Sequence, residues 1–179
     1  MASLKYNILK KEINESAFTC GVRSIDEFIY NSYIENITQH AMTIECLIDN
    51  QVVGYCMITF KNIMLQNVPE EVAEYNTNLL DYCTSIHIQY MAVKKQYQRN
   101  GYGGKMMAYL LKYIMSLVNR IPIRLITLDA FKNLVDWYRS VGFKIIGDEK
   151  DYSDQDTVRM YIDCITEDNK NKLDTYSFI

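Results

Sequence analysis

The pattern of apolar and polar residues divides the chain into strands with helices between them. Residues 86–93 alternate their apolar side chains onto one face, which predicts a strand. Residues 102–119 repeat their apolar side chains at helical spacing, which predicts a long amphipathic helix. The apolar positions of this helix are Met107, Leu110, Leu111, Ile114, Met115 and Val118.

Other stretches give a similar pattern. Asp49-Asn50-Gln51 separates two apolar runs and is typical of a hairpin turn. A second amphipathic helix is predicted over Phe131–Val141 and ends at Gly142. Further strands are predicted over Leu4–Lys10, Met42–Ile48, Val52–Phe60, Ile123–Leu128, Phe143–Ile146 and Thr157–Asp163.

An earlier helix is predicted over residues 24–37. Ser24 is the expected N-cap, and Glu27, three residues later, would complete a capping box. Ile25, Phe28 and Ile29 would then face the core, because they recur at helical spacing.

Three stretches carry little pattern. In residues 61–84, Pro69 marks a helix start, and we expect this segment to lie beside a cleft. Residues 147–156 are expected to form a polar, mobile loop, and no structure is assigned to the tail 164–179. Strands with interspersed helices predict one α/β domain over residues 1–179.

Composition excludes several classes of protein. The 179 residues are enough for a full core, and no apolar run reaches transmembrane length. Five scattered cysteines form no metal-binding pattern, and the start of the chain does not resemble a secretory signal. We therefore expect a cytoplasmic protein that holds no metal and needs no membrane. A net charge of −3 argues against a generally basic nucleic-acid binder.

The most informative stretch is the glycine-rich turn between the strand 86–93 and the long helix. The first amides of a helix lack internal partners, and the helix dipole favours an anion there. Gly101 and Gly103 remove the Cβ atoms that would keep a phosphate away. The sequence therefore predicts a phosphate site. Basic residues without an acid among them surround the turn, namely Lys94, Lys95, Arg99 and Lys105.

Two common phosphate motifs do not fit this turn. A nucleotide P-loop needs Ser or Thr after Lys105, and the dinucleotide fingerprint needs Gly at position 106, but Met106 occupies that position. The remaining pattern, Gln98-x-x-Gly101-x-Gly103 after a strand that ends at Val93, resembles the coenzyme A motif of the GNAT superfamily of N-acetyltransferases.

The resemblance covers residues 85–146 and implies acetyl-CoA as co-substrate. It also implies a mixed, twisted sheet of six to seven strands whose fourth and fifth strands diverge to admit the cofactor. In the family, the Met91 position supplies the donor for the thioester oxygen, and the Val93 amide holds the pantetheine arm. The implied cofactor-binding residues are Met91, Ala92, Val93, Gln98, Arg99, Asn100, Gly101, Tyr102, Gly103, Gly104, Asn133 and Tyr138.

A second signature supplies the chemistry. Asn133, then Trp137-Tyr138, then Gly142-Phe143 resembles the family pattern in which the tyrosine lies near the cofactor sulfur. A phenol with a pKa near ~10 stays protonated at neutral pH, so Tyr138 can donate a proton to the departing thiolate. Simple packing of Tyr138 is the alternative.

The attacking amine must be neutral. At pH 7 a lysine side chain is only about 0.04% neutral, whereas an α-amino group is about 10–15% neutral. His87 is the catalytic base that we single out, with Asp129 and Glu45 as further candidates. A hydrogen-bonded structural role for His87, or a water chain in place of a base, stays open.

The resemblance implies that the acceptor is a primary amine of a small molecule or a protein. An alternative comes from the pattern Phe18-x-Cys20-Gly21-x-x-x-Ile25-Asp26-x-Phe28-Ile29, with Val53-Gly54-Tyr55 later. Over about 45 residues in all, this pattern resembles GNAT toxins that acetylate the α-amino group of aminoacyl-tRNA. A non-catalytic acyl-CoA-binding regulator is the third alternative. Whether the chain forms a homodimer is left open.

Overall fold

The computed structural model describes residues 4–74, 80–118, 120–167 and 169. Its strands are β1 Lys5–Ile8, β2 Met42–Ile48, β3 Gln51–Met64, β4 Tyr82–Val93, β5 Leu125–Phe131, β6 Lys144–Ile145 and β7 Thr157–Asp163. Its α-helices are α1 Arg23–Ile37, α2 Glu70–Ala73, α3 Tyr102–Val118 and α4 Val135–Val141.

The strands form a mixed sheet in the order β1-β2-β3-β4-β5-β7-β6. Antiparallel registers join β1 with β2, β2 with β3, and β7 with both β5 and β6. β4 and β5 are parallel, and α3 supplies the long crossover that parallel strands need. The predicted α/β mixed sheet is confirmed, with seven strands in the described part of the chain.

The chain divides into two compact units. Unit 1 comprises Met1–Phe60 and Ile88–Ile114. Its core packs Ile29 of α1 against strand residues that include Tyr55 and Tyr90. Within this core the Tyr90 hydroxyl donates a hydrogen bond to Ser32 Oγ at 2.9 Å, which satisfies a buried polar group of the helix.

Unit 2 comprises Lys61–His87 and Met115–Ile179. Val72 of α2 packs with Leu125 of β5 and Tyr161 of β7. The Tyr161 hydroxyl donates to the Glu71 carboxylate at 2.7 Å, so the short helix predicted to follow Pro69 is anchored to the sheet. The extent of one domain over residues 1–179 stays a prediction.

Helix α1 differs from its prediction. It begins at Arg23 with Val22 as N-cap and no side-chain cap, so the capping box of Ser24 and Glu27 is wrong. The helix starts one residue before Ser24, which therefore lies inside the first turn. Phe28 is 49% exposed although Ile29 is fully buried, so only part of the predicted apolar face reaches the core.

The predicted helix over 131–141 is shorter in the structure. Phe131 is the last residue of β5, where it pairs with Thr157, and a 3-10 helix over Lys132–Leu134 precedes α4. Phe131 fits a strand pattern as well as a helical one, and pairing with β7 decides between them. The hairpin is confirmed, because Asp49 and Asn50 form the turn with φ of 47° and 63°.

The structure describes one of the two remaining weakly patterned stretches, residues 147–156, but little of the other, residues 164–179. The predicted loop over 147–156 contains a 3-10 helix, Glu149–Tyr152, which Asp148 caps. Most of the tail 164–179 lies outside the described residues.

Candidate active site

The glycine-rich turn lies in unit 1, between a 3-10 helix over Lys95–Tyr97 and the start of α3 at Tyr102. Gly101 has φ +77°, a left-handed conformation that glycine adopts without strain. A Cβ added at Gly101 or Gly104 would meet no atom within 4 Å, so the space above the turn is open. The first helical amides, of residues 102–104, have no intrahelical acceptor and can bind an anion.

The side chain of Gln98 fastens this turn to its surroundings. Its Nε2 donates to the carbonyl of Val93 at 3.0 Å and to the carbonyl of Cys20 at 2.8 Å. Asn100 Nδ2 donates to the Gln98 carbonyl at 3.0 Å and closes the turn from inside. Both side chains therefore position the backbone, and their predicted contact with a cofactor stays a prediction, as does that of Arg99.

The end of strand β4 presents amides on the edge that faces away from β3. Lys94 N–H donates to the Val53 carbonyl of β3 at 2.8 Å. Along a strand, the N–H groups of alternate residues point to the same edge. The amides of Met91 and Val93 therefore point away from β3. They do not pair with that strand, which a donor to a bound ligand requires.

Gly54 of β3 lets the chain approach the end of β4 closely. A Cβ at this position would lie 2.5 Å from the Ala92 carbonyl oxygen and 2.7 Å from the Met106 side chain. Only glycine fits between strand and helix, so this residue sets the spacing of β3, the β4 end and α3.

A segment before α1 forms one side of the turn. The Thr19 carbonyl accepts from Lys95 N–H at 2.9 Å, next to the bond between Gln98 and the Cys20 carbonyl. Buried Asp26 holds this segment by accepting from the Cys20 amide and the Thr19 hydroxyl. Burial opposes the charge, but these hydrogen bonds outweigh it and hold the pKa of Asp26 below its ordinary value.

Sequence reasoning missed this role of Asp26. The turn-forming pair Cys20-Gly21, followed by a carboxylate in the first turn of a helix, is a signal that could have found it. The predicted capping box led instead to Ser24 and Glu27.

Unit 2 contains Tyr138, which is 9% exposed. Its ring meets Trp137 at 4.8 Å and Phe143 at 5.7 Å between centroids, both edge-on. Gly142 ends α4 with φ +108°, and Phe143 N–H bonds back to the Tyr138 carbonyl. This is a Schellman motif, whose geometry explains the spacing from Tyr138 to Gly142-Phe143. Asn133 is exposed in the preceding 3-10 helix.

His87 is buried in a polar cluster of unit 2. Its Nδ1 lies 3.0 Å from Thr127 Oγ1, and its Nε2 lies 3.8 Å from Asp129 Oδ2. Burial, followed by the positive charges of Lys61 and Arg159, lowers the pKa of His87 to about 4, although Asp129 opposes the shift. His87 is therefore neutral at pH 7.

The other two base candidates have partners. Asp129 pairs with the Arg159 guanidinium at 2.9 Å. Burial alone would raise the pKa of Asp129, but the hydrogen bond and charge of Arg159 outweigh it and hold that pKa below the ordinary value. Glu45 lies on β2 of unit 1, opposite Tyr55 of β3, where it accepts from Asn7.

Comparison with known proteins identifies the family. A family model described as "Acetyltransferase (GNAT) domain" matches residues 40–145. A comparison with curated protein sequences finds no match. The family match covers more than half of the chain, so the chain belongs to the GNAT acetyltransferases, and acetyl-CoA is its acyl donor.

Solved structures with the same fold cover nearly all of the chain. One, described as a bacterial toxin, is 15% identical with a TM-score of 0.78 and covers 98% of both chains. A point mutant of KacT is 13% identical, with a TM-score of 0.76 over 97% of this chain and 99% of its own. AtaT complexed with acetyl-methionyl-tRNAfMet is 14% identical, with a TM-score of 0.75 over 97% and 100%.

The described residues contain no group of three or more His, Cys, Asp or Glu side chains that could hold a metal ion. No helix among them has the length and apolar character needed to cross a membrane.

Proposed function

We propose that this chain transfers the acetyl group of acetyl-CoA by direct attack of a primary amine, and that the amine is the α-amino group of an aminoacyl-tRNA. The observation that carries the proposal is the bonding of the Thr19–Cys20 backbone to Lys95 and Gln98. Through these hydrogen bonds, the segment that resembles the toxin members forms one side of the glycine-rich turn. The similar structures of AtaT and KacT, one with an acetylated aminoacyl-tRNA, support the same acceptor.

The donor would be held mainly by backbone groups. The amides of residues 102–104 would bind the diphosphate at the N-terminus of α3, where the dipole favours negative charge. The exposed side chains of Lys95 and Arg99 would add positive charge. The Val93 amide would bond the pantetheine arm as a neighbouring strand does.

The Met91 amide would stabilise the transition state. It would donate to the thioester oxygen, which becomes negative as the amine nitrogen bonds to the carbonyl carbon. Removal of one such donor typically costs about 2.7–4 kcal/mol of barrier. Tyr138 would then donate its proton to the sulfur as the carbon–sulfur bond breaks. The attacking nitrogen would release its second proton to solvent as the amide forms, and Tyr138 would recover a proton from solvent.

The attacking amine must first lose a proton. An α-amino group is about 10–15% neutral at pH 7 and needs far less help than lysine. His87 is the proposed base, because burial keeps it neutral. A base with a pKa of about 4 holds a proton only briefly, so His87 would relay it to water.

A translation assay tests the acceptor. The purified chain is added to a cell-free translation reaction with acetyl-CoA, and the charged tRNA is then analysed for N-acetylation. Loss of translation with acetylated aminoacyl-tRNA is expected. Unchanged translation and unmodified charged tRNA, from protein that still acetylates a small amine, would return the acceptor to the small-molecule class.

A further inference from the structure

A cavity of about 550 Å³ lies within unit 1, where α1 passes over β3 and β4. Gln89 of β4 is one of its lining residues. Met91, whose amide is the proposed donor to the thioester oxygen, follows two residues later, about 7 Å along the strand. The cavity volume lies in the range of small-molecule sites, about 300–1,000 Å³. An acceptor bound here would have its amine within reach of the acyl carbon.

The cavity has an apolar wall. Phe28, Ala41 and Met57 line it, and Met57 is nearly fully buried. Phe28 is the residue that the helical pattern assigns to the core, yet the structure leaves it half-exposed at this cavity. An apolar side chain that covered Phe28 would remove this exposed surface from water, which favours binding.

The polar lining selects by charge. Glu35 lies at the cavity with its carboxylate 3.5 Å from His40 Nδ1. None of the described residues that line the cavity is lysine or arginine. Asn31 Nδ2 donates to the Glu27 carbonyl at 2.8 Å, which leaves its Oδ1 to accept from an amine. This lining can accept hydrogen bonds from an amine, and its carboxylate repels a second carboxylate.

We propose that this cavity binds the aminoacyl group of the acceptor and selects amino acids with apolar side chains over acidic ones. The inference rests on the proposed function, since it assigns the acceptor's side chain to the wall formed by Phe28 and Met57. Glu35 is the residue that discriminates against aspartate and glutamate.

Initial rates with tRNA charged with leucine and with aspartate, measured with radiolabelled acetyl-CoA, test this assignment. Leucyl-tRNA is expected to exceed aspartyl-tRNA in kcat/KM by tenfold or more, in line with the about 10–200-fold that hydrophobic pockets discriminate. Phe28→Ala should lower kcat/KM for leucyl-tRNA about tenfold. Glu35→Gln should raise kcat/KM for aspartyl-tRNA and so reduce the ratio of the leucyl to the aspartyl value.

Ile34→Ala is the matched control, because Ile34 is an exposed apolar residue of α1 outside the cavity lining. It should leave both rates unchanged, and calorimetric affinity for acetyl-CoA should be the same in all variants. Equal rates for the two charged tRNAs, or equal losses in Phe28→Ala and Ile34→Ala, would overturn the cavity assignment alone. Acetylation of neither charged tRNA would also overturn the cavity assignment, and the translation assay would then show whether any aminoacyl-tRNA is the acceptor.

Discussion

The carboxylate of Asp26 accepts a hydrogen bond from the Cys20 amide at 2.8 Å. The carbonyl of the same Cys20 accepts from Gln98, which also holds the Val93 carbonyl at the end of β4. A buried charge on α1 is thus connected through two peptide groups to the turn that precedes α3. Since the proposed diphosphate ligands are backbone amides, their placement depends on this connection.

Replacement of Asp26 by Asn therefore should weaken acetyl-CoA binding. The amide keeps the size of the side chain but loses the charge-assisted bonds, each worth about 1.5–3 kcal/mol. We expect a several-fold higher Kd by calorimetry and a lower free energy of unfolding. Glu27→Gln is the control, since the Glu27 carboxylate pairs only with exposed Arg23 in the described residues, and it should change neither quantity. Wild-type affinity and stability in Asp26→Asn would contradict the positioning role.

The direction of the Asp26 pKa adds a pH test. Its folded-state pKa is lowered, so its stabilisation is complete above the unfolded value of about 3.9 and is lost as the pH falls through the folded value. The difference in unfolding free energy between wild type and Asp26→Asn should be constant from about pH 7 to 5. It should shrink below about pH 4.

As the pH falls, the loss of stability that is linked to His87 should begin at a higher pH than the loss that is linked to Asp26. Its pKa is lowered to about 4 from an ordinary 6.5, so below pH 6.5 the unfolded chain binds a proton that the folded chain does not. Stability should therefore fall between pH 6.5 and about 4, by about 3 kcal/mol for this one group. Subtraction of the His87→Asn curve isolates this contribution, because the remaining groups are shared.

The same variant tests the proposed base. A base whose pKa lies near the working pH contributes typically about 10²–10⁴-fold to the rate, and the lowered pKa of His87 places it at the lower end of that range. His87→Asn should lower kcat by that order while acetyl-CoA affinity stays constant. An unchanged kcat, with the stability difference present, would assign His87 to the polar cluster with Thr127 alone.

The variant Tyr138→Phe should distinguish a general-acid role of Tyr138 from a role in packing alone. The ring contacts with Trp137 and Phe143 persist without the hydroxyl, so the packing of the ring should be retained. Loss of a general acid should lower kcat about 10²–10⁴-fold with acetyl-CoA affinity retained. Tyr82→Phe, which removes a hydroxyl from an exposed side chain of unit 2, is the control. Normal turnover by Tyr138→Phe would exclude the acid role.

The sequence predicted those elements whose signals lie in neighbouring residues. Alternation predicted β4, helical spacing predicted α3, and Gly142 marked the end of α4. Phe131 was assigned to a helix because its strand partner, Thr157, is distant in the chain. Likewise, no local pattern shows that Phe28 would line a cavity, because its partners there, such as Met57 and Gln89, are distant in the chain.

Substitutions at Gly54 and Gly104 test folding and cofactor binding separately. Gly54→Ala would force a Cβ to 2.5 Å from the Ala92 carbonyl oxygen, and overpacking of this kind costs about 1–3 kcal/mol. Gly104→Ala meets no atom within 4 Å and replaces glycine in a helix, which favours folding by about 0.5–1 kcal/mol. Its methyl group would occupy the open space that we propose for the diphosphate.

The two variants should therefore give opposite results. Gly54→Ala should lower the thermal unfolding midpoint, whereas Gly104→Ala should retain or raise it and bind acetyl-CoA at least tenfold more weakly. Desulfo-coenzyme A, which lacks the reactive sulfur, should lose affinity in parallel, because the change lies at the diphosphate. If Gly104→Ala bound both ligands as tightly as wild type, the turn before α3 would not be the phosphate site, and the arrangement of acyl group, Met91 and cavity that depends on it would be wrong.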